Sequence, residues 1–158
     1  MTYGEKRPPI EVRNEIVMAA AAGTVWDLLS DVERWPTWYR ACRWVRRVDS
    51  IAGSTRVASF RWKAHPVTLY STVIVAERPH RFVIDADAPG LHAERSFTLH
   101  PAPNGAGTTV VSHETQVGPV AWLGRWVLAP RLHAANQAMF ADLAGAASKW
   151  TREKEIEK

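Results

Sequence analysis

RLHAANQAMFADLAGAASKW, residues 131 to 150, decides the fold. Its apolar positions Leu132, Ala135, Met139, Leu143, Ala146 and Trp150 recur at spacings of three and four, the repeat of one helical face. Such a stripe needs a surface to cover it. Residues 42–118 supply one, because they read as short strands rich in Val, Thr, Ile, Phe and Trp, separated by Gly, Pro, Asn and Ser turns. One long helix lying on one curved antiparallel sheet, an α+β arrangement, is the expectation. Upstream of the stripe, Pro119 suits a first helical turn whereas Pro130 removes an internal hydrogen bond, so residues 120–129 and 131–152 are predicted as two helical pieces with a kink or break between them.

Working back to the start, Ile10, Val12, Asn14, Ile16 and Met18 alternate with mostly polar neighbours, the pattern of a strand with one buried face. A short helix follows, with Thr24 as its expected N-cap and its end near Ser30. A second, very short helix spans Asp31 to Tyr39 around Pro36. Six further strands are predicted at Arg43–Asp49, Thr55–Lys63, Val67–Glu77, Arg81–Ala88, His92–His100 and Thr108–Val117. The gaps between them carry turn residues and are short enough for antiparallel neighbours. The domain reading is a disordered segment 1–9, a single domain 10–152 and a frayed charged tail 153–158.

A chain of 158 residues can bury a core without a disulfide, and its one cysteine, Cys42, rules out an intrachain bridge and reads as a small buried filler. The first nine residues hold no apolar run, so neither a signal peptide nor a membrane span is expected, and a soluble cytoplasmic protein is the default, as monomer or homodimer. Twenty basic and 16 acidic side chains give a formal charge of +4, which favours acidic partners without requiring nucleic acid. The stretch Arg40 to Arg47 interleaves arginines with Trp44, but strand alternation splits it between two faces, and a solvated outer face is the better reading. The six histidines show neither H-x-H nor H-E-x-x-H spacing, so no metal is expected; the usual nucleotide, dinucleotide and hydrolase signatures are missing too, and no cofactor is predicted. Eight tryptophans exceed what simple filling needs, which points to a cavity lined by some of them.

Val25-Trp26-Asp27, then Asp31-Val32-Glu33-Arg34-Trp35-Pro36, resembles the V-W-D…D-x-E-x-W-P segment of the polyketide cyclase/dehydrase branch of the SRPBCC (START, birch-pollen-allergen-like) superfamily. Phe60-Arg61-Trp62-Lys63 and the Gly107-Thr108 hairpin are similar, and the order of elements over residues 10–150 matches as well. The resemblance implies a helix-grip fold, a seven-stranded curved antiparallel sheet wrapped around a long C-terminal helix, with two short helices after the first strand. It also implies an apolar cavity between sheet and helix. By comparison with the cyclases the inward faces are Thr68, Tyr70, Thr72 and Ile74; Ala93, Arg95, Phe97 and Leu99; and Val110, Ser112, Glu114 and Gln116. Arg95, Tyr70 and Glu114 then become candidate catalytic groups, a cation to polarise a carbonyl and two groups to move protons. An internal Arg95–Glu114 ion pair with Tyr70 as an edge filler is the bland alternative. Trp35, Trp38, Tyr39, Trp44, Phe60, Thr72, Phe97, Ser112 and Met139 are the candidate ligand-binding residues. The chain departs from the aromatase/cyclases in offering Ile74 where they carry an inward arginine, and Cys42 where they carry a tyrosine; Arg61 or Arg95 could supply the cation, and His113 a base.

Function stays open among three readings at this level. One is a cyclase, aromatase or dehydratase acting on a poly-β-carbonyl or aromatic ligand, with an acidic acyl-carrier protein as a fitting partner. The second is a carrier of a lipid, quinone or other small hydrophobic ligand. The third is a stress- or toxin-response protein whose outer sheet face docks a partner protein.

Overall fold

The computed structural model describes residues 7–157 apart from 55 and 65. Most of the segment expected to be disordered, residues 1–6, lies outside these. Elements follow in the order β1 (Ile10–Met18), α1 (Ala22–Ser30), a 3-10 turn at Val32–Arg34, α2 (Trp35–Trp38), β2 (Cys42–Ser50), β3 (Val57–Ala64), β4 (Val67–Glu77), β5 (Arg81–Ala88), β6 (Leu91–Pro101), β7 (Thr108–Val117) and α3 (Pro119–Ile156). The sheet has seven strands in the order β1-β7-β6-β5-β4-β3-β2, every neighbouring pair antiparallel. This is the helix-grip α+β fold. β1 closes on the last strand, which brings both ends of the chain's sheet under the start of α3.

Side-chain phase is set by which residues must be dry. On β6, Ala93, Phe97 and Leu99 are buried with Arg95 between them, and on β7 Val110, Ser112, Glu114 and Gln116 are buried, as their alternation requires. β4 runs the other way from the expectation. Leu69 and Ser71 lie opposite the buried Trp62 and Phe60, and the Trp62 indole N–H donates to Ser71 Oγ at 2.9 Å. Tyr70, Thr72 and Ile74 therefore face outward. One face of the strand carries Val67, Leu69, Ser71 and Val73 and the other Thr68, Tyr70, Thr72 and Ile74. Apolar and hydroxyl side chains thus occur on both, nothing in its own sequence fixes the phase, and a one-residue slip turns every side chain over. A register irregularity between Cys42 and Val45 does the same for β2, where both residues pack inward and Trp44 turns out beneath the Arg46 guanidinium, 4.8 Å from its ring.

α3 is one continuous helix through Pro130 to Ile156, not two pieces, and the expected frayed tail is helical almost to its end. Pro130 is exposed, so water can serve the carbonyl its ring leaves unbonded. Gly118 sets the helix start. Its φ is 106°, and an added Cβ would meet the Gly90 carbonyl oxygen at 2.6 Å, so only glycine lets the chain turn here against the β5–β6 turn. Val120 N–H then donates to Gly90 O at 3.1 Å, and Pro119 occupies the first turn. Further along, Asn136, Met139, Phe140, Leu143 and Ala147 are buried against the sheet.

Candidate functional site

Arg95 and Glu114 stand directly opposite one another on β6 and β7, and their row across the sheet continues to Val12 on β1 and Ile84 on β5. Both charges therefore sit among apolar neighbours under α3. Arg95 Nε is 3.8 Å from Glu114 Oε2, close enough for Coulomb attraction and too far for a hydrogen bond. Glu114 is held instead by amides, Gln116 Nε2 donating to Oε1 at 3.0 Å and Asn136 Nδ2 to Oε2 at 3.1 Å. The guanidinium makes softer contacts: Nη1 lies 3.1 Å from the Met139 sulfur and Cζ 4.5 Å from the Phe97 ring centroid. Beside this cluster, Asn14 Nδ2 lies 3.1 Å from His133 Nδ1 and donates to the His133 carbonyl at 3.3 Å.

Several polar atoms here are buried with no partner among the described residues: Arg95 Nε and Nη2, Ser112 Oγ and Asn14 Oδ1. Each such atom costs on the order of 1–3 kcal/mol, and more where the group is charged. Two orphaned donors on one cation form a ready acceptor site for a carbonyl, enolate or hydroxyl oxygen. The phenol of Tyr39 belongs to the same interior. Burial pushes its pKa up, while the Arg95 charge pulls the other way and that of Glu114 adds to the rise, so the group stays a protonated donor.

The candidates of the sequence thus fall into two sets. Arg95, Glu114, Phe97, Ser112 and Met139 converge beneath α3, and Trp35, Tyr39 and Phe60 form the adjoining aromatic wall, Trp35 at 5.6 Å from Phe60 and 6.2 Å from Tyr39. Trp38 stacks on Tyr39 and reaches the surface cleft between α2 and α3. Tyr70, Thr72 and Trp44 lie on the outer face, so the phenol of this interior is Tyr39 and not Tyr70. Arg61 is opposite Tyr70 and exposed, and His113 turns outward to Glu11 at 2.7 Å. Cys42 is buried with its pKa pushed up to about 11 by that burial, which leaves it a poor nucleophile. Asn14, Gln116 and Asn136 are not among the candidate site residues of the sequence, although Asn14 and Gln116 fall on the expected inward faces of their strands. The signal existed: Asn14 holds an apolar phase in β1, and Asn136 lies four residues after Leu132 and three before Met139 on the helix stripe.

Two clefts of about 480 and 490 Å³ open beside this interior. The first lies between α1 and the β2–β3 and β4–β5 ends, the second between α2 and the C-terminal half of α3; Leu28, Arg34 and Trp150 border both. Neither is lined by Arg95 or Glu114, so access to the cluster requires side chains to part. Among the described residues, no group of three or more His, Cys, Asp or Glu side chains is placed to hold a metal ion.

The family model described as "Polyketide cyclase / dehydrase and lipid transport" matches residues 9–148, and the chain belongs to this family. Solved structures share the fold at low identity. A hypothetical protein from Helicobacter pylori superposes with a TM-score of 0.75 at 15% identity, covering 92% of this chain and 91% of that one. A START superfamily protein from Mycobacterium smegmatis gives 0.65 at 16% identity, covering 90% and 97%. The di-domain ARO/CYC StfQ from the steffimycin biosynthetic pathway gives 0.70 at 12% identity over 90% of this chain and 52% of that longer one. No curated protein matches the sequence.

Proposed function

We propose that this member of the polyketide cyclase / dehydrase and lipid transport family binds a hydrophobic, oxygen-bearing ligand between the sheet and α3. In this reading Arg95 takes the ligand's carbonyl or enolate oxygen. The observation that carries it is the pair of buried Arg95 donors without an acceptor. The aromatic wall of Trp35, Tyr39, Phe60 and Phe97 would hold the ligand's apolar body, and Ser112 and Tyr39 offer further polar contacts. For a poly-β-carbonyl chain, closure or water loss would then be promoted by holding the chain folded and by stabilising the developing oxyanion on the guanidinium. Glu114, fixed by the Gln116 and Asn136 amides and 3.8 Å from Arg95 Nε, acts as the counter-ion that positions Arg95. Entry through the cleft between α2 and α3 fits the place of Trp38 on its wall. A substrate tethered to an acidic acyl-carrier protein would meet Arg40 on that same rim, with Arg43 and Arg46 exposed on β2 just after it.

A second reading, a carrier that holds the ligand unchanged, is favoured by the place of Glu114: two amides fix it in a buried position and it lines neither cleft, so its remaining lone pairs do not face an open approach. The test is native mass spectrometry of the freshly purified protein followed by assays with poly-β-ketone substrates on the wild type and Arg95→Met. A retained small molecule released on denaturation, with no turnover, supports the carrier. Turnover that Arg95→Met abolishes with the fold intact supports the cyclase or dehydratase. Turnover that Arg95→Met leaves unchanged overturns the assignment of Arg95.

A further inference from the structure

The first half of α3 exposes an apolar face. Trp122, Leu123 and Trp126 are 59%, 75% and 79% exposed, and Val120 and Val127 are open as well. At about 100° per residue, Trp122, Trp126, Pro130, Leu123 and Val127 lie on one half of the helix circumference. The other half holds Ala121, Leu128 and Leu132, packed towards Ile10, Val12 and Leu91. Arg125 borders the apolar face on one side and Arg131 on the other. The Arg125 guanidinium lies over the Trp122 and Trp126 rings, 5.0 and 5.1 Å from their centroids. A shallow apolar depression at Pro9, Gly118, Pro119, Trp122 and Leu123 extends the surface towards the chain's N-terminal side. A contiguous patch of this kind on a soluble fold marks an interaction surface.

From these features we propose that this face docks on an anionic lipid bilayer, with α3 lying in the plane of the interface. Tryptophans at the head-group level, aliphatic side chains below them and arginines along both borders are the arrangement that such a helix needs. Charge decides between a bilayer and a second copy of the chain. From Pro119 to Ala141 the helix carries Arg125 and Arg131 and no carboxylate. Two copies joined through it would bring arginine borders together with no counter-charge on either helix half, whereas anionic head groups supply that charge. No helix among the described residues is long and apolar enough to span a membrane. On the bilayer, α3 would lie on the surface.

The full chain should be tested by flotation with vesicles of phosphatidylcholine alone and of phosphatidylcholine with phosphatidylglycerol. The proposal expects co-flotation with the phosphatidylglycerol vesicles that weakens as salt is raised. Trp122→Ser/Trp126→Ser should weaken it by more than about tenfold with an unchanged circular dichroism spectrum. Arg125→Gln/Arg131→Gln should remove the preference for phosphatidylglycerol. Failure of the wild type to float, or equal flotation of the tryptophan variant, overturns the proposal. A dimer in light scattering that the tryptophan substitutions dissolve, in a protein that does not float, would assign the face to a second copy instead.

Discussion

Beneath α3 the two ends of the interior solve the same packing problem with different chemistry. Towards α2 the space is filled by rings, Trp35 standing nearly perpendicular to Phe60 and Trp62 at 5.6 and 5.2 Å, with its indole N–H donating to the Leu29 carbonyl at 3.0 Å. Towards β1 and β7 it holds Asn14, Glu114, Gln116, Asn136 and the Arg95 guanidinium, with several polar atoms unpaired. At the aromatic end Trp35 and Trp62 satisfy their indole N–H groups, while Trp38 leaves its own buried without a partner among the described residues. The polar end keeps atoms that cost stability, and a sequence under pressure for stability alone would fill it with hydrocarbon. Because the unpaired donors at the polar end belong to a charged group, the ligand's oxygen is assigned there and its apolar body to the rings.

The largest effect is expected at the aromatic end. Trp35→Ala should lower the unfolding free energy by about 3–5 kcal/mol in denaturant titrations, and a loss below about 1 kcal/mol would break the contrast from that side. At the polar end, Glu114→Ala strands the buried guanidinium and should cost about 3 kcal/mol. The paired replacement Arg95→Met/Glu114→Gln should be neutral or stabilising in the same titrations, and a large loss from it would mean that the cluster serves the fold. Tyr70→Phe, on the outer face, should change stability by less than about 0.5 kcal/mol and leave ligand binding intact. The smallest effect concerns pH. His92 Nδ1 is 2.6 Å from Asp87 Oδ1, and that hydrogen bond raises the histidine above its ordinary value of 6.5. The stabilisation is therefore fully present below that value and is lost as pH rises through the higher folded value. Both side chains are about half exposed, so wild type and His92→Gln should differ slightly at pH 5.5 and converge in alkaline solution.

Much of this arrangement was legible in the residues. The stripe ending at Trp150 indicates the long helix, and the alternation of β6 pairs Arg95 with Ala93, Phe97 and Leu99 on one face. β7, by contrast, carries valines on both faces, and the inward place of Glu114 comes from the resemblance to the cyclases. Where alternation failed, so did the reading. β4 has apolar and hydroxyl side chains on both faces, so its phase depends on Phe60 and Trp62 of the neighbouring strand, information that is tertiary. The expectation therefore puts Tyr70 inward where the structure has Tyr39, and the irregularity in β2 turns Trp44 to the outer face. Pro130 suggested a break because sequence does not say that its face of the helix points to water. Asn14 and Asn136 were visible as polar residues in apolar phases; what they hold depends on a contact between the first strand and the last helix.

The most direct test of the account is an NMR titration following the Arg95 Nε–H signal as 1,8-dihydroxyanthraquinone, a flat aromatic ketone, is added to the wild type and to Arg95→Met. A saturable shift of that signal, with at least about tenfold weaker binding by the variant, is the predicted result. Failure of the wild type to bind, or equal binding by the variant with the Arg95 signal unmoved, would contradict the claim that the unpaired guanidinium is the ligand's oxygen site.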